Sequence, residues 1–225
     1  MSDTSNALLR QYVKLTEFLG AALGPDYEVA LHDLTDKDRS IIAIANGYIS
    51  GREVGAPLTN MALGVLKDES YEWQDYRLHY SGVSVTGNLL RSSTMFIKEG
   101  GKLIGMLCIN FDDSRYQAFA REVLTLCHPN QFFQALTQPE EVPADALRPE
   151  TFRNSTEAVT QDAVAHELER LGVPADRLTS EERLRIIAAL DASGIFLLKG
   201  AVKDVAACLG CSQASVYRYL SQIKK

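Results

Sequence analysis

Residues 201–220, AVKDVAACLGCSQASVYRYL, predict two short helices joined by a tight turn. Ala206 is small at the point where the second helix must cross the first closely. Gly210 suits the turn because a left-handed backbone costs glycine little, and Ser212 is a natural N-cap for the second helix. The residues expected to face the interior are Val205, Leu209, Val216 and either Tyr219 or Leu220.

This arrangement is typical of a DNA-binding helix-turn-helix, in which the exposed start of the second helix enters the major groove. Gln213 can pair with adenine there, and Arg218 with guanine or a phosphate. The helix N-terminus at Ser212 and nearby lysines add donors for phosphate groups. The predicted DNA-contacting residues are Ser212, Gln213, Ala214, Ser215, Tyr217, Arg218, Lys199, Lys203 and Lys224.

Amphipathic spacing alone would equally fit a helical hairpin that only packs or forms oligomers. The combination of Ala206, Gly210 and Ser212 favours DNA binding, because it follows a third helix and is surrounded by lysines. That third helix is predicted to begin at the capping-box sequence TSEE of residues 179–182. An earlier helix is predicted to end at Gly172.

The charge of the chain is unevenly distributed. A net charge of −6 at pH 7 would argue against nucleic acid as a partner if it were spread evenly. Residues 1–150, however, hold 13 Lys+Arg and 20 Asp+Glu, whereas residues 195–225 hold five basic residues and one acid. The basic C-terminal end therefore agrees with contact to DNA, and the acidic remainder indicates a module with a different partner.

Residues 27–111 have a composition typical of β-strands, and Glu99-Gly100-Gly101 is a strong hairpin signal. The predicted elements are strands at 27–34, 40–49, 92–98 and 102–111 and a short helix at about 58–67. The predicted fold class is α+β: one antiparallel sheet with helices on one face, in the element order of a PAS-type sensor domain. A small all-α helix-turn-helix domain follows it.

The N-terminal residues 8–23 predict a helix, because apolar residues recur at spacings of four and three. This stripe can cover the domain core, or it can pack on a second copy as a heptad-like seam. Since operators with two-fold symmetry require a dimeric protein, a homodimer is predicted.

Residues 138–150, QPEEVPADALRPE, contain three of the seven prolines and four acids, with no apolar period. Such a composition predicts a linker. The predicted organisation is a PAS-like sensor domain at 1–126, a linker at 127–154 and a helix-turn-helix domain at 155–225.

Nearly the whole chain outside this linker resembles the YheO-like transcriptional regulators. Residues 194–220, GIFLLKGAVKDVAACLGCSQASVYRYL, resemble their helix-turn-helix, although Cys211 replaces the usual apolar residue after the turn glycine. VALHDL, SIIAIANGYISGREVGAPLT and LLRSSTMFIKEGGKLIGMLCINFD resemble their PAS-like domain. The resemblance implies a PAS-like sensor fused to a DNA-binding domain. The family includes a regulator of D-arginine catabolism, which makes an amino acid one candidate effector.

Several polar residues lie in or beside the apolar strands of the sensor half. Buried polar groups need partners, so they can form a small pocket for a metabolite, or they can cap turns in an empty fold. His32 has the same two interpretations: it binds a ligand, or it is held by Asp33 or a carbonyl. The candidate ligand-binding residues are His32, Asp33, Asn46, Thr59, Ser92, Ser93, Thr94 and Asn110.

Catalytic and metal-binding motifs are missing from the sequence. No G-x-S-x-G, H-E-x-x-H or Walker-type loop occurs, so neither catalytic residues nor an enzyme activity is predicted. Cys208 and Cys211 form a C-x-x-C without a second Cys/His pair nearby, so no metal site is predicted. Nothing marks a haem ligand or a flavin contact, and no cofactor is predicted.

The sequence shows neither a secretory signal nor an apolar run of about 18 residues, and its four cysteines are scattered. A cytoplasmic protein without a membrane partner is predicted. The features together predict a transcriptional regulator whose PAS-like domain senses a small metabolite and controls binding to a double-stranded DNA operator. The alternative is a protein-interaction or dimerisation module that binds neither DNA nor ligand.

Overall fold

The computed structural model describes residues 7–127 and 149–223. Six strands form one curled sheet: β1 (Tyr27–Asp33), β2 (Ile41–Ala45), β3 (Tyr76–Val83), β4 (Leu89–Glu99), β5 (Lys102–Asp112) and β6 (Glu150–Thr151). Their order across the sheet is β2-β1-β5-β4-β3-β6. All neighbouring strands are antiparallel except the parallel pair β3 and β6.

Seven helices accompany this sheet in the described residues: α1 (Ala7–Leu23), α2 (Asn60–Asp68), α3 (Ser114–Cys127), α4 (Thr156–Leu171), α5 (Ser180–Ala192), α6 (Ala201–Cys208) and α7 (Gln213–Ile223). The predicted succession of a helix, two strands, a short helix and two further strands is confirmed, as is the α+β class, and β3 is an additional strand before that last pair. Strand β2 is shorter than predicted because Asn46 turns the chain with a positive φ of 57°.

Helices pack on both faces of the sheet, which corrects the expectation that they lie on one face. Alternate residues of a strand point to opposite faces. On one face, Leu9 of α1 packs against Val29 and Leu31. On the other face, Ala30 and Met106 join the core formed with α2 and the C-terminal helices. β1 is therefore buried on both sides, including its polar residues Glu28, His32 and Asp33.

The end of the predicted linker, 127–154, belongs to the sheet. Glu150 pairs with Gly82 on the edge strand β3, and Phe152 is only 1% exposed. A strand of two residues is too short to produce an alternating pattern, so hydrophobic periodicity does not reveal it. Residues 128–148 of the predicted linker lie outside the described residues.

The end of α4 and the start of α5 lie at the predicted residues. The capping box of α5 is present: the Glu182 amide donates to Thr179 Oγ1 at 3.2 Å, and the Thr179 amide donates to Glu182 Oε2 at 2.7 Å. Helix α4 ends at Gly172, whose left-handed backbone has φ of 65°. In the part of the chain that the structure describes, no helix is long and apolar enough to cross a membrane.

The C-terminal helices pack against the six-stranded sheet through α2. Leu63 of α2 and Leu190 of α5 are almost fully buried in one continuous hydrophobic core. Gly194 fits closely here, because a Cβ at this position would lie 2.7 Å from the Leu63 carbonyl oxygen. A salt bridge of 2.8 Å between Lys67 of α2 and Asp191 of α5 adds a contact at the edge of this packed core. The two parts of the chain therefore meet in a packed interface.

Candidate functional site

The turn between α6 and α7 has the geometry of a helix-turn-helix. Gly210 has φ of 59°, in the left-handed region that strains other residues. The Cys211 amide donates to the Ala206 carbonyl oxygen at 3.0 Å, which closes the turn. Ser212 caps α7 as predicted, since its Oγ accepts a hydrogen bond of 3.2 Å from the Ser215 amide.

Apolar side chains fix the angle between these two helices. Val205, Leu209 and Val216 have no exposed surface, and Tyr219 is 5% exposed. Leu220 is only partly buried, so Tyr219 is the more deeply buried of the two predicted alternatives. Burying each large apolar side chain contributes roughly 1.5–3 kcal/mol. The position of α7 is therefore set by packing and does not depend on a partner.

The N-terminal half of α7 presents a polar face to solvent. Ser212, Gln213, Ala214, Tyr217 and Arg218 are all exposed, and Ser215 is half-buried at the edge. The Arg218 guanidinium carbon lies 5.3 Å from the centroid of the Tyr219 ring, a cation–π distance that orients the arginine. These side chains form a contiguous surface on one helix, which suits insertion into a groove.

The predicted lysines lie in different surroundings. Exposed Lys203 borders an open cleft of about 490 Å³ together with Gln213 and Tyr217, on the same side as the polar face of α7. Lys199 instead faces the N-terminal domain, since its Nζ lies 3.4 Å from Asp38 Oδ2. The Lys199 side chain is 84% exposed, so this pair contributes little to stability. Lys224 lies outside the described residues.

The half-buried thiols of Cys208 and Cys211 are both free. Burial raises the pKa of each thiol, which keeps it protonated and poorly suited to bind a metal. Among residues 7–127 and 149–223, no group of three or more His, Cys, Asp or Glu side chains is placed to hold a metal ion.

A second candidate site lies on the α2 side of the sheet, where polar side chains surround one buried arginine. We call this set the buried polar cluster. Strand residues that point to this face form its floor, and residues from the loop before α2 and from β6 cover it. Its members are Glu28, Ser50, Arg52, Thr59, Tyr80, Ser92, Thr94, Cys108, Asn110 and Glu150.

Three charged side chains form the centre of the buried polar cluster. Arg52 is 4% exposed, and Glu28 and Glu150 are 0% and 2% exposed. Arg52 Nη2 donates to the Pro57 carbonyl oxygen, whereas its Nε and Glu150 Oε2 have no hydrogen-bond partner among the described residues. Glu28 accepts a hydrogen bond of 2.8 Å from Asn110 Nδ2 and one of 3.1 Å from the Ser50 amide. Three buried charged groups thus lie near one another.

Burial is the main influence on these charged groups. It raises the pKa of Glu28 and of Glu150, whereas hydrogen bonds and the charge of Arg52 act in the opposite direction. Burial also lowers the pKa of Arg52, and both carboxylates oppose that shift. Removing ions from water costs several kcal/mol each unless they are well paired. A buried cluster of this kind is therefore a candidate binding site.

Four of the predicted ligand-binding residues belong to the buried polar cluster. Thr59 Oγ1 donates to Glu150 Oε1 at 2.6 Å, and Thr94 Oγ1 lies 2.8 Å from the Tyr80 hydroxyl. Ser92 Oγ and Asn110 Oδ1 are buried and have no hydrogen-bond partner among the described residues. Buried polar atoms without a partner are rare in proteins, and each calls for an explanation such as a bound ligand or an ordered water.

His32 lies on the same face of the sheet but is held by another residue. Its Nδ1 lies 2.9 Å from Ser40 Oγ, and the ring is 2% exposed. Burial and the charge of Arg52 hold the pKa of His32 well below its ordinary value, so the ring is neutral. Its partner is thus neither Asp33 nor a carbonyl.

The other three predicted residues make local contacts away from the cluster. Asp33 Oδ1 accepts hydrogen bonds from the amide and hydroxyl of Thr35 at 2.9 and 2.7 Å. Asn46 Nδ2 donates to three carbonyl oxygens, the shortest bond being 2.7 Å to Tyr27, and so holds the end of α1. Ser93 Oγ accepts from the His79 amide at 3.2 Å.

The charged members of the cluster are missing from the residues predicted from sequence. Glu28 had a detectable signal, because it is an acid within the apolar run YEVALHDL. Arg52 lies in the glycine-containing loop GREVGAP, which shows a turn but not a buried charge. Nothing near Glu150 distinguishes it from the other acids of the predicted linker.

Comparison with known proteins finds relatives along the full chain. A YheO-like PAS domain family matches residues 3–128, and an HTH domain family matches residues 159–221. Protein YheO of Escherichia coli K12 is 28% identical over 223 residues, which cover 99% of this chain and 87% of YheO. The transcriptional regulator DauR of Pseudomonas aeruginosa is 27% identical over 228 residues, covering 100% of this chain and 99% of DauR. A Haemophilus influenzae protein is 27% identical over 226 residues, with coverage of 100% and 95%.

Proposed function

This chain belongs to the YheO-like PAS family and is a transcriptional regulator with a C-terminal HTH domain, and we propose that its PAS domain senses a small polar metabolite that controls operator binding. In this proposal a bound metabolite favours one arrangement of a dimer. The spacing of the two recognition helices then changes. The protein acts in the cytoplasm, where the DNA is, and has no enzymatic activity of its own.

The observation that carries the DNA-binding proposal is the exposed polar face at the start of α7. All four side chains are exposed, and we propose that Gln213 and Arg218 contact base edges and that Ser212 and Lys203 contact phosphates. Base contacts specify sequence, whereas phosphate contacts position the protein. We therefore propose that α7 is the recognition helix. For Lys199 the contact with Asp38 supports a role at the interface with the sensor at least as well as one on DNA.

Selection from a random oligonucleotide pool with the full-length protein tests this function. We expect a motif with two-fold symmetry whose half-sites lie about 34–36 Å apart, one helical turn of DNA or a multiple of it. Affinity for the selected site should fall steeply between about 50 and 200 mM salt, because bound phosphates release counterions. Failure to enrich any motif, with binding insensitive to salt, would instead favour the protein-interaction module.

The buried polar cluster supports the proposal that the PAS domain binds a metabolite. It combines a buried guanidinium, two carboxyl groups and unpaired hydroxyl and amide oxygens on one face of the sheet. Ligand sites commonly place a few polar groups within an apolar surrounding. We propose Thr59, Ser92, Thr94 and Asn110 as its ligand-contacting residues, and an amino acid is one candidate ligand.

An exposed apolar seam on α3 supports a homodimer. Tyr116, Phe119, Val123 and Leu126 are between 41% and 85% exposed and follow heptad spacing of three, four and three residues. Such a seam normally packs against a second helix. On α1, in contrast, Leu8 and Tyr12 already pack on the sheet, and Phe18 remains 65% exposed. We therefore propose that two copies pair mainly through α3.

Replacing Phe119 by glutamate should convert the dimer to a monomer. The charge would fall in the middle of the apolar seam, where it has no partner among the described residues and where desolvation is unfavourable. Light scattering coupled to size-exclusion chromatography measures the mass. The neighbouring exposed Ala120 provides the matched control, since Ala120→Glu adds the same charge outside the seam. Equal masses for both variants would contradict pairing through α3.

A further inference from the structure

Glu150 lies just before the C-terminal helices in the sequence, yet its side chain is buried inside the PAS domain. Its strand β6 pairs with the edge of the sheet at Gly82, and no other strand of the described residues comes from the chain after α3. Glu150 and Phe152 are 2% and 1% exposed. The segment that leads to the C-terminal helices therefore places two side chains inside the PAS domain.

The carboxyl group of Glu150 lies in surroundings suited to bind a free carboxylate. Thr59 Oγ1 donates to it at 2.6 Å. Burial raises the pKa of this carboxyl group, whereas the hydrogen bond from Thr59, the charge of Arg52 and the hydroxyl of Tyr80 act in the opposite direction. Thr59 is at the same time the N-cap of α2, so the positive end of the helix dipole adds to the attraction. Glu150 Oε2 and Arg52 Nε are both buried without a partner among the described residues, so a free carboxylate in this place could adjust to accept from the guanidinium as well as from Thr59.

Phe152 covers the remaining part of this site. The Arg52 guanidinium carbon lies 5.9 Å from the centroid of its ring. Gly82 makes room for the ring, because a Cβ on Gly82 would lie 2.7 Å from Phe152 Cε2. Neither Glu150 nor Phe152 satisfies Ser92 Oγ or Asn110 Oδ1, which lack partners in the described part of the chain. These two atoms can therefore form hydrogen bonds with a ligand that is larger than the Glu150 carboxyl group.

Apart from the buried side chains of Glu150 and Phe152, the segment is held by a short strand and by polar contacts. Its strand has two residues, and the Asn60 side chain holds it by accepting from the Thr151 amide at 2.8 Å and donating to the Pro149 carbonyl oxygen at 3.0 Å. Helix α4 is capped by Ser155, only three residues after Phe152. Release of this segment would therefore free the start of the C-terminal helical module.

We propose that Glu150 and Phe152 are an internal ligand of the PAS domain, and that a small carboxylic acid binds by taking the place of the Glu150 carboxylate beside Arg52 and Thr59. This inference rests on the proposed metabolite-sensing function and gives the chemical class of the metabolite. The exchange leaves the charge at the site unchanged, because one carboxylate replaces another. It also links ligand binding to α4, since the displaced segment leads directly into that helix.

Propionate, which reproduces the side chain of Glu150, is the probe that tests the exchange. Full-length wild type, Glu150→Ala and the exposed matched control Glu53→Ala are titrated with sodium propionate at constant ionic strength, and the melting temperature is followed. The propionate concentration that half-saturates Glu150→Ala should be about tenfold or more lower than the concentration that half-saturates the wild type or Glu53→Ala. This is the factor expected when one charge-assisted hydrogen bond no longer competes.

Hydrogen exchange gives a second measurement in the wild type. The Thr151 amide is hydrogen-bonded to Asn60 Oδ1, so propionate should accelerate its exchange as the segment leaves the site. If Glu150→Ala does not fold, Glu150→Gln keeps an acceptor for Thr59 without the charge and should shift half-saturation in the same direction. Equal propionate responses of variant and control, with exchange at Thr151 unchanged, would overturn the inference.

Selection of an operator separates this inference from the proposed DNA-binding function. If the protein selects an operator but does not bind propionate, the DNA-binding proposal stands and the internal-ligand proposal is wrong. If it binds propionate as expected but selects no DNA, the internal-ligand proposal stands and the DNA-binding proposal is wrong.

Discussion

Replacement of Arg52 by methionine is expected to lower the free energy of unfolding by about 1–3 kcal/mol, the usual cost of leaving buried polar groups without a partner. Arg52 Nη2 donates to the Pro57 carbonyl oxygen. Burial raises the pKa of the nearby Glu28 and Glu150 while the charge of Arg52 acts against this rise, and all three side chains are almost fully buried. Without the guanidinium, two carboxyl groups remain in a poorly solvated interior. Urea unfolding of the full-length protein, followed by circular dichroism, measures the change.

The exposed Arg39 in the same domain is the matched control, and Arg39→Met should change stability by no more than about 0.5 kcal/mol. Adding Glu150→Gln to Arg52→Met should restore part of the loss, because it removes one of the uncompensated carboxyl groups. If Arg52→Met and Arg39→Met have the same stability, the charges of the buried polar cluster are not coupled as the structure shows.

Replacing Gln213 and Arg218 together by alanine is expected to weaken binding to the selected operator about a hundredfold or more. Each specific contact between a side chain and a base contributes about 1–3 kcal/mol, and the pair removes two. The fold should remain intact because both side chains are exposed. Fluorescence anisotropy with labelled operator DNA measures affinity, and thermal unfolding checks the fold.

The matched control for this pair is Gln222→Ala, an exposed glutamine near the C-terminal end of the same helix. It should bind the operator as tightly as the wild type. Competition with unrelated DNA adds a further measurement: the double variant should retain non-specific binding, which depends on phosphate contacts. Full operator affinity in the double variant would exclude α7 as the recognition helix.

Local sequence patterns predicted most of the regular elements. Gly210 and Ser212 were sufficient for the turn and the cap of α7, because the left-handed backbone and the N-cap bond each depend on one residue type at one position. The capping box at Thr179 and Glu182 was predictable for the same reason. Each of these features involves residues only a few positions apart in the chain.

The buried polar cluster could be predicted only in part. Thr59 and Asn110 stood out as polar residues near apolar runs, but so did Asp33 and Asn46, which serve turns and a helix end. Polarity beside a strand does not reveal which face a side chain takes or what packs over it. A hydrogen bond between Thr59 and Glu150 joins residues 91 positions apart, and no local pattern can show it.

The sequence by itself determined the α+β class, the order of the elements and the helix-turn-helix, because hydrophobic period, turn chemistry and caps are local properties. Only the tertiary structure decided that helices cover both faces of the sheet, that Lys199 lies beside Asp38 and that Glu150 accepts a hydrogen bond from Thr59 inside the PAS domain. Burial and charge pairing depend on which distant segments meet in space, and that is settled when the whole core packs.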